Sequence, residues 1–93
     1  MPMRFYYVYV LMSGKDGNWY TGYTVDLRAR LLQHQAGNSR STQHRGPWSL
    51  IYCEASLNVE DAQARERYLK SGMGKRYIRT RLKNYLGKSG ANL

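Results

Sequence analysis

Cysteine is almost absent from this sequence. Cys53 is the single cysteine among 93 residues, which excludes a disulfide framework and a zinc site made of four cysteines. It lies within the apolar run LIYCEA, and such a context is typical of a buried, unreactive thiol. We therefore expect Cys53 to be buried and inert, and not to act as a nucleophile.

Long hydrophobic runs are also missing. The N-terminal stretch MPMRFYYVYVLM is too short for a transmembrane helix, which needs about 20 apolar residues. It also lacks the small-residue cleavage site of a secretory signal peptide. We therefore expect a cytoplasmic protein with no membrane partner.

Acidic side chains are scarce. The sequence contains six Asp and Glu residues but fifteen Lys and Arg residues, so the net charge is +9. A positive field of this size in a single small domain attracts polyanions, nucleic acid first and an anionic membrane surface second. DNA is the expected partner, with RNA as an alternative. A basic surface that only keeps the protein soluble is the competing interpretation.

Two β-rich runs, residues 4–12 and 18–24, are separated by the turn segment SGKDGN. This arrangement predicts a β-hairpin. Alternation places one apolar row on each face of the first strand. The two rows are Tyr7, Tyr9 and Leu11, and Tyr6, Val8 and Val10. We therefore expect this strand to be covered on both sides.

Capping residues and glycines divide the remainder into helices and one strand. Thr24 is the predicted N-cap of a helix that begins near Val25 and stops at Gly37, and Asn58 is the predicted N-cap of a second helix. The other boundaries are a third strand at residues 48–55, an interruption at Gly72 and Gly74, and a third helix at residues 75–86.

The predicted fold class is therefore α/β, more strictly α+β. The element order is β-β-α-β-α-α, with three helices flanking a small, mostly antiparallel, three-stranded sheet. Residues 4–86 form the predicted domain, and residues 87–93 a disordered tail.

Basic residues cluster in a loop and on a helix. The loop NSRSTQHRGP, residues 38–47, carries Arg40, His44 and Arg45. The third helix places Lys75, Arg79 and Lys83 in a ridge at spacing four, beside an apolar stripe of Ile78, Leu82 and Tyr85. Together with Lys70, these cations are candidate contacts to a nucleic-acid backbone, which position a substrate without reading its sequence. Solvated surface charge is the alternative.

Glu66 interrupts an apolar helical stripe. Positions 59, 62, 66, 69 and 73 read Val, Ala, Glu, Leu and Met. An isolated buried carboxylate is unfavourable by several kcal/mol or more unless it is paired or binds a metal. Pairing with Lys70, or exposure beside Arg65 and Arg67, would give Glu66 an ordinary surface role. A functional role is the other possibility, because functional sites are where sequence rules fail.

Arg30 and His34 share one face of the first predicted helix, since they lie at spacing four. A cation and a titratable imidazole together can bind a phosphate. A solvated arginine–histidine face is the alternative.

The motifs, taken in order, resemble the GIY-YIG nuclease superfamily. Tyr7-Val8-Tyr9 and Tyr20-Thr21-Gly22 stand where its two name motifs occur. They are followed by GYTVDLRARLLQH, the third strand, and a helix with ARERYLK. The resemblance covers residues 4 to about 86 and is to the small stand-alone bacterial members.

This resemblance implies a metal-dependent endonuclease that hydrolyses DNA phosphodiester bonds. It is expected to be structure-selective or weakly sequence-specific, and to act in DNA repair or recombination. The alternatives are a non-catalytic nucleic-acid-binding module of the same fold, and a nuclease subunit whose protein partner supplies specificity.

The resemblance also implies a role for each site residue. Tyr9 would be the general base, with Tyr20 positioning the water. Arg30 would hold the phosphate, His34 could relay a proton, and Glu66 would bind Mg²⁺ or Mn²⁺. Asn84 is the candidate for an asparagine that the family carries near the end of the domain.

Overall fold

A computed structural model describes residues 3–88. Its seven elements are β1 (Tyr6–Ser13), β2 (Trp19–Thr24), α1 (Leu27–Gln35), β3 (Trp48–Ser56), α2 (Val59–Lys70), α3 (Gly72–Arg81) and α4 (Lys83–Lys88). The predicted order is confirmed, with the last predicted helix divided into α3 and α4. The predicted tail lies outside the described residues except for Gly87 and Lys88, which end α4.

The sheet is antiparallel, with β1 between β2 and β3. One face of β1 packs against α2 and α3, where Val8 and Val10 join Ala62, Leu69 and Ile78. A second core lies on the opposite face of β1 and consists of Tyr9, Leu11 and Trp48. Leu27 and Leu31 of α1 pack against it. Both faces of β1 are therefore covered, as its alternating apolar pattern predicts.

The first helix begins two residues later than predicted. Asp26 is its N-cap and accepts a hydrogen bond from the Ala29 amide at 3.0 Å. Thr24 Oγ1 instead accepts from the Asp26 amide at 3.1 Å. The prediction of Thr24 as cap is wrong because the Asp26 carboxylate reaches the free amide of the first turn. The predicted stop at Gly37 agrees with its φ of +77°.

The second and third helices meet in a tight turn. Asn58 caps α2 as predicted, but α3 starts at Gly72, earlier than residue 75, because the Ser71 side chain caps it by accepting from the Gly74 amide. A Cβ on Gly74 would overlap the Tyr68 carbonyl oxygen. Only glycine therefore allows the two helices to approach this closely.

The predicted apolar stripe of the last helix is partly wrong. Ile78 is buried, but Tyr85 is 47% exposed and Leu86 is buried in its place. The helix breaks at Leu82, where φ is −108° and ψ is 23°. This break changes the rotational phase of the residues that follow, so a stripe at continuous helical spacing does not persist.

Cys53 is exposed, so the prediction of a buried thiol is wrong. It lies on β3, which is an edge strand. It pairs across the sheet with Tyr9. On the same strand Leu50 is 40% exposed. An apolar run on an edge strand can face solvent, whereas the same run in the centre of a sheet would be buried.

Candidate active site and nucleic-acid interface

Tyr9 lies at the centre of the second core and is 1% exposed. Its register partner on β2 is Gly22. A Cβ on Gly22 would lie 2.6 Å from the Tyr9 hydroxyl oxygen and 2.8 Å from Cζ. The absence of a side chain at Gly22 therefore provides the space in which the phenol sits.

The Tyr9 hydroxyl is hydrogen-bonded to His34 Nε2 at 2.8 Å. His34 is 2% exposed, and its Nδ1 is hydrogen-bonded to Thr42 Oγ1 at 2.7 Å. Thr42 is itself 1% exposed. Residues from β1, α1 and the following loop thus form one buried hydrogen-bonded chain, Tyr9–His34–Thr42.

Burial governs the protonation of this chain. It raises the pKa of the Tyr9 phenol, against an opposing hydrogen-bonding effect from Arg30. It also lowers the pKa of the His34 imidazole, and the positive charge of Arg30 lowers it further. Both groups are therefore neutral near pH 7. When Tyr9 O–H donates to Nε2, the ring proton of His34 lies on Nδ1 and donates to Thr42 Oγ1.

Aromatic rings form a wall beside this chain. The Tyr20 ring centroid lies 5.1 Å from that of His34 and 6.4 Å from that of Tyr9. The Trp48 ring meets the Tyr20 ring edge-on at 6.5 Å, and its indole N–H donates to the Thr42 carbonyl oxygen at 3.1 Å. Trp48 therefore holds both Tyr20 and the loop that carries Thr42.

Arg30 lies one turn before His34 on α1. Its guanidinium donates to Gln33 Oε1 at 2.6 Å and to Ser39 Oγ at 3.5 Å. Neither partner is charged, and within residues 3–88 Arg30 forms no ion pair. Its positive charge is therefore available to an anion.

Glu66 projects from α2 with a side chain 17% exposed, and Oε2 lies 3.2 Å from Lys70 Nζ. The ion pair with Lys70, one of the alternatives that would give Glu66 an ordinary surface role, is thus present. The negative charge of Glu66 also contributes to the raised pKa of Tyr9, so the carboxylate lies within electrostatic range of the phenol. Direct contacts join Tyr9, Tyr20 and His34, and the charges of Arg30 and Glu66 both act on the Tyr9 phenol.

Arg65 anchors α2 to the sheet next to Glu66. Its Nε donates to both carboxylate oxygens of Glu54 on β3 at 3.0 Å, and its guanidinium lies over the Tyr77 ring at 4.8 Å. Arg65 therefore forms its ion pair with Glu54 and not with the neighbouring Glu66. This anchoring fixes the helix that presents Glu66.

A divalent cation is compatible with these donors only as a sparsely ligated ion. Among residues 3–88 no three His, Cys, Asp or Glu side chains converge into a metal cluster. A single carboxylate still suits Mg²⁺, which keeps several waters and takes further oxygens from a substrate phosphate. The partly exposed Glu66 is consistent with such a site.

The GIY-YIG catalytic domain family matches residues 5–79. The chain belongs to the GIY-YIG family. Because the match spans both tyrosine motifs, α1 and α2, all five candidate catalytic residues fall within the GIY-YIG domain. The family is one of nucleases, which act on nucleic acid and generally use divalent metal ions.

Relatives of this chain include UPF0213 proteins of bacteria. That of Halalkalibacterium halodurans is 41% identical over 66 residues, covering 70% of this chain and 69% of its own. That of Streptococcus sanguinis is 45% identical over 65 residues, covering 69% and 74%. The solution NMR structure of a UPF0213 protein from Bacillus halodurans has a TM-score of 0.53 at 37% identity, covering 82% of this chain and 83% of that one. The predicted small bacterial GIY-YIG type is confirmed.

The basic residues of this GIY-YIG domain divide into two groups. Three of them line one cleft, although they come from segments distant in sequence: Arg45 from the loop before β3, and Lys75 and Arg79 from α3. The others do not line that cleft. Exposed positions outside the cleft are occupied by Arg40, His44 and Lys83. Lys70 pairs with Glu66.

The candidate asparagine, Asn84, is exposed on α4.

A larger cavity, about 680 Å³, lies along the other flank of α1. Its lining includes Tyr7, Leu27 and Leu32, and none of the five candidate catalytic residues. Cavity size alone would therefore point away from the candidate catalytic residues.

Within residues 3–88, the helices are too short or too polar to span a lipid bilayer.

Sequence reasoning missed several residues of the site. In the sequence, Thr42 and Ser39 are ordinary polar members of a loop, yet their hydroxyls contact His34 and Arg30 respectively. Trp48 fits its strand, and its sequence context gives no sign of a role at the site. No spacing links Thr42 to His34, so only the path of the loop shows the contact. Gly22 could have been found from the sequence, because it is part of the second motif, Tyr20-Thr21-Gly22.

Proposed function

We propose that this chain is a metal-dependent endonuclease that hydrolyses DNA phosphodiester bonds. The observation that carries this proposal is the buried hydrogen-bonded chain Tyr9–His34–Thr42, on which the charge of Arg30 acts and, at Tyr9, also that of Glu66. A purely structural core would not need a buried imidazole hydrogen-bonded at both nitrogens within the field of a guanidinium that has no ion-pair partner among residues 3–88.

Proton transfer would begin at Tyr9. A phenol whose pKa is raised is a poor base by itself near pH 7. In the proposed step the Tyr9 oxygen accepts a proton from the attacking water while its own proton passes to His34 Nε2. Because His34 is neutral near pH 7, its Nε2 can accept that proton. Thr42 would hold the ring in the required tautomer.

Arg30 would bind the non-bridging oxygens of the reacting phosphate. Its planar guanidinium suits two oxygens at once, and no carboxylate within the described residues neutralises it. Negative charge that develops at these oxygens during attack would be stabilised by this fixed positive charge. Tyr20, whose ring lies against His34, would position the water.

Glu66 would hold the divalent cation, Mg²⁺ or Mn²⁺. Such an ion, when bound, supplies Lewis-acid stabilisation of the leaving oxygen. Lys70 now pairs with the Glu66 carboxylate and would have to turn away or pair instead with a phosphate. Lys70 is 55% exposed at its side chain, so this movement meets no packing barrier.

Structure-selective or weakly sequence-specific cleavage is the proposed mode, in DNA repair or recombination. The cations around the site can contact phosphates, and phosphate contacts position a substrate without reading bases. RNA offers the same phosphate groups to these cations, so RNA substrates belong in the test.

Cleavage of a panel of labelled substrates tests the proposal. The panel contains single strands, duplexes, flaps, four-way junctions and matched RNAs, each with Mg²⁺, with Mn²⁺ and with chelator. Glu66→Gln should abolish cleavage and preserve binding. Glu60→Gln, an exposed change in the same helix, is the control and should cleave normally. Metal-independent cleavage, or cleavage by the Glu66 variant, would refute the proposed chemistry.

A second candidate is a nucleic-acid-binding module without catalysis. The ion pair between Lys70 and Glu66 favours it, because it occupies the carboxylate that would hold the metal. Salt-sensitive binding with no cleavage of any substrate would support this candidate. If a cell extract restored metal-dependent cleavage that Glu66→Gln abolishes, a nuclease subunit that needs a protein partner would be favoured instead.

A further inference from the structure

A polar cleft lies at the end of the sheet where β1 turns into β2. Its volume is about 450 Å³. Its lining is Gly17, Asn18, Trp19, Arg45, Lys75 and Arg79. Three chain segments distant in sequence, the hairpin turn, the loop before β3 and the helix α3, thus contribute to one site.

The cleft is strongly positive. Lys75 and Arg79 form no ion pair within residues 3–88, and Arg45 lies 3.6 Å from Asp16 with both side chains more than one-third exposed. An exposed pair at this distance contributes little, because solvent screens it. Three cations against one weakly engaged carboxylate leave an unneutralised site for an anion.

Aromatic rings hold the two guanidinium groups in place. Arg79 lies over the Trp19 ring at 5.3 Å from its centroid, and Arg45 lies over the Trp48 ring at 5.0 Å. Stacking restricts these long side chains before any ligand binds, so less conformational entropy is lost on binding. Two oriented guanidiniums and one ammonium suit an anion with several oxygens, such as a phosphodiester.

The cleft adjoins the candidate active site through Trp48. The same indole that stacks under Arg45 meets Tyr20 edge-on and donates to the Thr42 carbonyl oxygen. A DNA strand whose reacting phosphate is bound by Arg30 would therefore meet the cleft on the far side of the Tyr20 and Trp48 rings.

We infer that Arg45, Lys75 and Arg79 form an anchor for a backbone phosphate of the substrate strand, separate from the phosphate that is cleaved. This inference rests on the proposed function for the identity of the strand as DNA. The anchor would hold the strand in register without reading bases, and it would contribute to binding more than to the chemical step.

Salt-dependent binding tests the anchor without cleavage. DNA affinity is measured from 50 to 300 mM KCl in a Glu66→Gln background, with Lys75→Ala, Arg79→Ala and the control Arg81→Ala. Arg81 is exposed in the same helix and outside the cleft, and its loss removes the same charge. Each cleft variant should reduce the slope of log affinity against log salt by about 0.7–0.9, and Arg81→Ala should change it less than half as much.

Cleavage kinetics provide the second readout. With the active enzyme, Lys75→Ala should raise KM on a long DNA and leave kcat within about threefold, because an anchor binds ground state and transition state alike. A substrate too short to reach the cleft should show no difference. Arg79→Lys, which keeps the charge but loses the planar fork, should fall between wild type and Arg79→Ala. Thermal melting confirms that each variant is folded.

The outcomes separate this inference from the proposed function. Equal slopes for Lys75→Ala and Arg81→Ala would overturn the anchor, even if Glu66-dependent cleavage is intact. A reduced slope without any cleavage by the wild type would keep the phosphate anchor and reject the nuclease. Displacement of DNA by inorganic phosphate or ATP at micromolar concentration would overturn the inference by showing a site for small anions.

Discussion

Replacing Thr42 by valine tests whether this loop residue controls the candidate catalytic histidine. Valine matches threonine in shape but has no hydroxyl, so His34 Nδ1 loses its 2.7 Å partner. Both side chains are at most 2% exposed, and water cannot easily replace the lost bond. The Thr42 carbonyl still accepts from the Trp48 indole, because that contact is made by the backbone.

The magnitude follows from this burial. Leaving one buried polar group unsatisfied costs about 1–3 kcal/mol, and in a domain of this size each kcal/mol lowers Tm by about 4–8 °C. A typical stability of about 5–15 kcal/mol leaves most such variants folded at 25 °C. General acid–base catalysis contributes about 10²–10⁴-fold. We expect loss of positioning alone to lower kcat by roughly 10–100-fold, with little change in KM.

The assay compares wild type, Thr42→Val and Thr42→Ser in single-turnover DNA cleavage across pH, with melting curves for each. Thr42→Ser keeps the hydroxyl and should retain kcat within a few fold. In the valine variant the imidazolium loses an acceptor, so the pKa of His34 should fall further and the acidic limb of the rate profile should move to lower pH. A folded Thr42→Val protein with wild-type kcat and an unmoved profile would refute the reasoning.

Three further predictions concern the same core. Tyr9→Phe removes the hydroxyl that contacts His34 Nε2 and should lower kcat by about 10²-fold or more; unchanged cleavage would remove Tyr9 from the chemistry. Gly22→Ala would place a Cβ 2.6 Å from that hydroxyl and should destabilise the fold by about 1–3 kcal/mol and abolish cleavage. Gly72→Ala, where a Cβ meets nothing within 4 Å, is its control in denaturant melts. Finally, the pKa of His34 is lowered in the folded state, so the unfolded chain binds more protons and stability should fall as pH drops below about 6.5. Urea midpoints from pH 8 to 5 measure this loss, and a His34→Gln variant that shows the same loss would contradict it.

The loop between α1 and β3 serves two sites at once. Thr42 contacts His34, while Arg45, three residues later, reaches the basic cleft. The intervening His44 has a φ of +70°, a left-handed conformation that is uncommon for residues other than glycine. The Lys15 ammonium, from the hairpin turn, donates to the His44 carbonyl oxygen at 3.3 Å and so connects this part of the loop to the hairpin.

The sequence alone determined the elements and the candidate catalytic set. Alternation along residues 6–11 required a strand covered on both faces, since successive side chains point to opposite sides. Asn58 specified the start of α2 because its side chain satisfies free amides of the first turn. The carboxylate in an apolar stripe marked Glu66. Spacing placed Arg30 and His34 on one helix face, and the resemblance to a nuclease family added Tyr9 and Tyr20 and implied a role for each residue.

Errors arose where a local pattern competes with its surroundings. LIYCEA has the composition of a buried strand, but Cys53 is exposed because β3 is an edge strand. Residues 75–86 have a continuous helical spacing, but the break at Leu82 rotates the second half and buries Leu86 in place of Tyr85. Neither strand order nor a helix break is encoded by a period of two or 3.6 residues.

Only the tertiary structure decided what the polar loop does. Nothing in NSRSTQHRGP distinguishes Thr42 from its neighbours, yet its hydroxyl alone reaches His34 Nδ1. Likewise, Arg45 of the basic loop and Lys75 and Arg79 of the basic helix meet in one cleft, which the hairpin turn also lines. Periodic patterns report which face of an element is buried, because that depends on near neighbours in sequence. Contacts between distant segments depend on how the whole chain packs, and these contacts set the tautomer of His34 and the position of the proposed phosphate anchor.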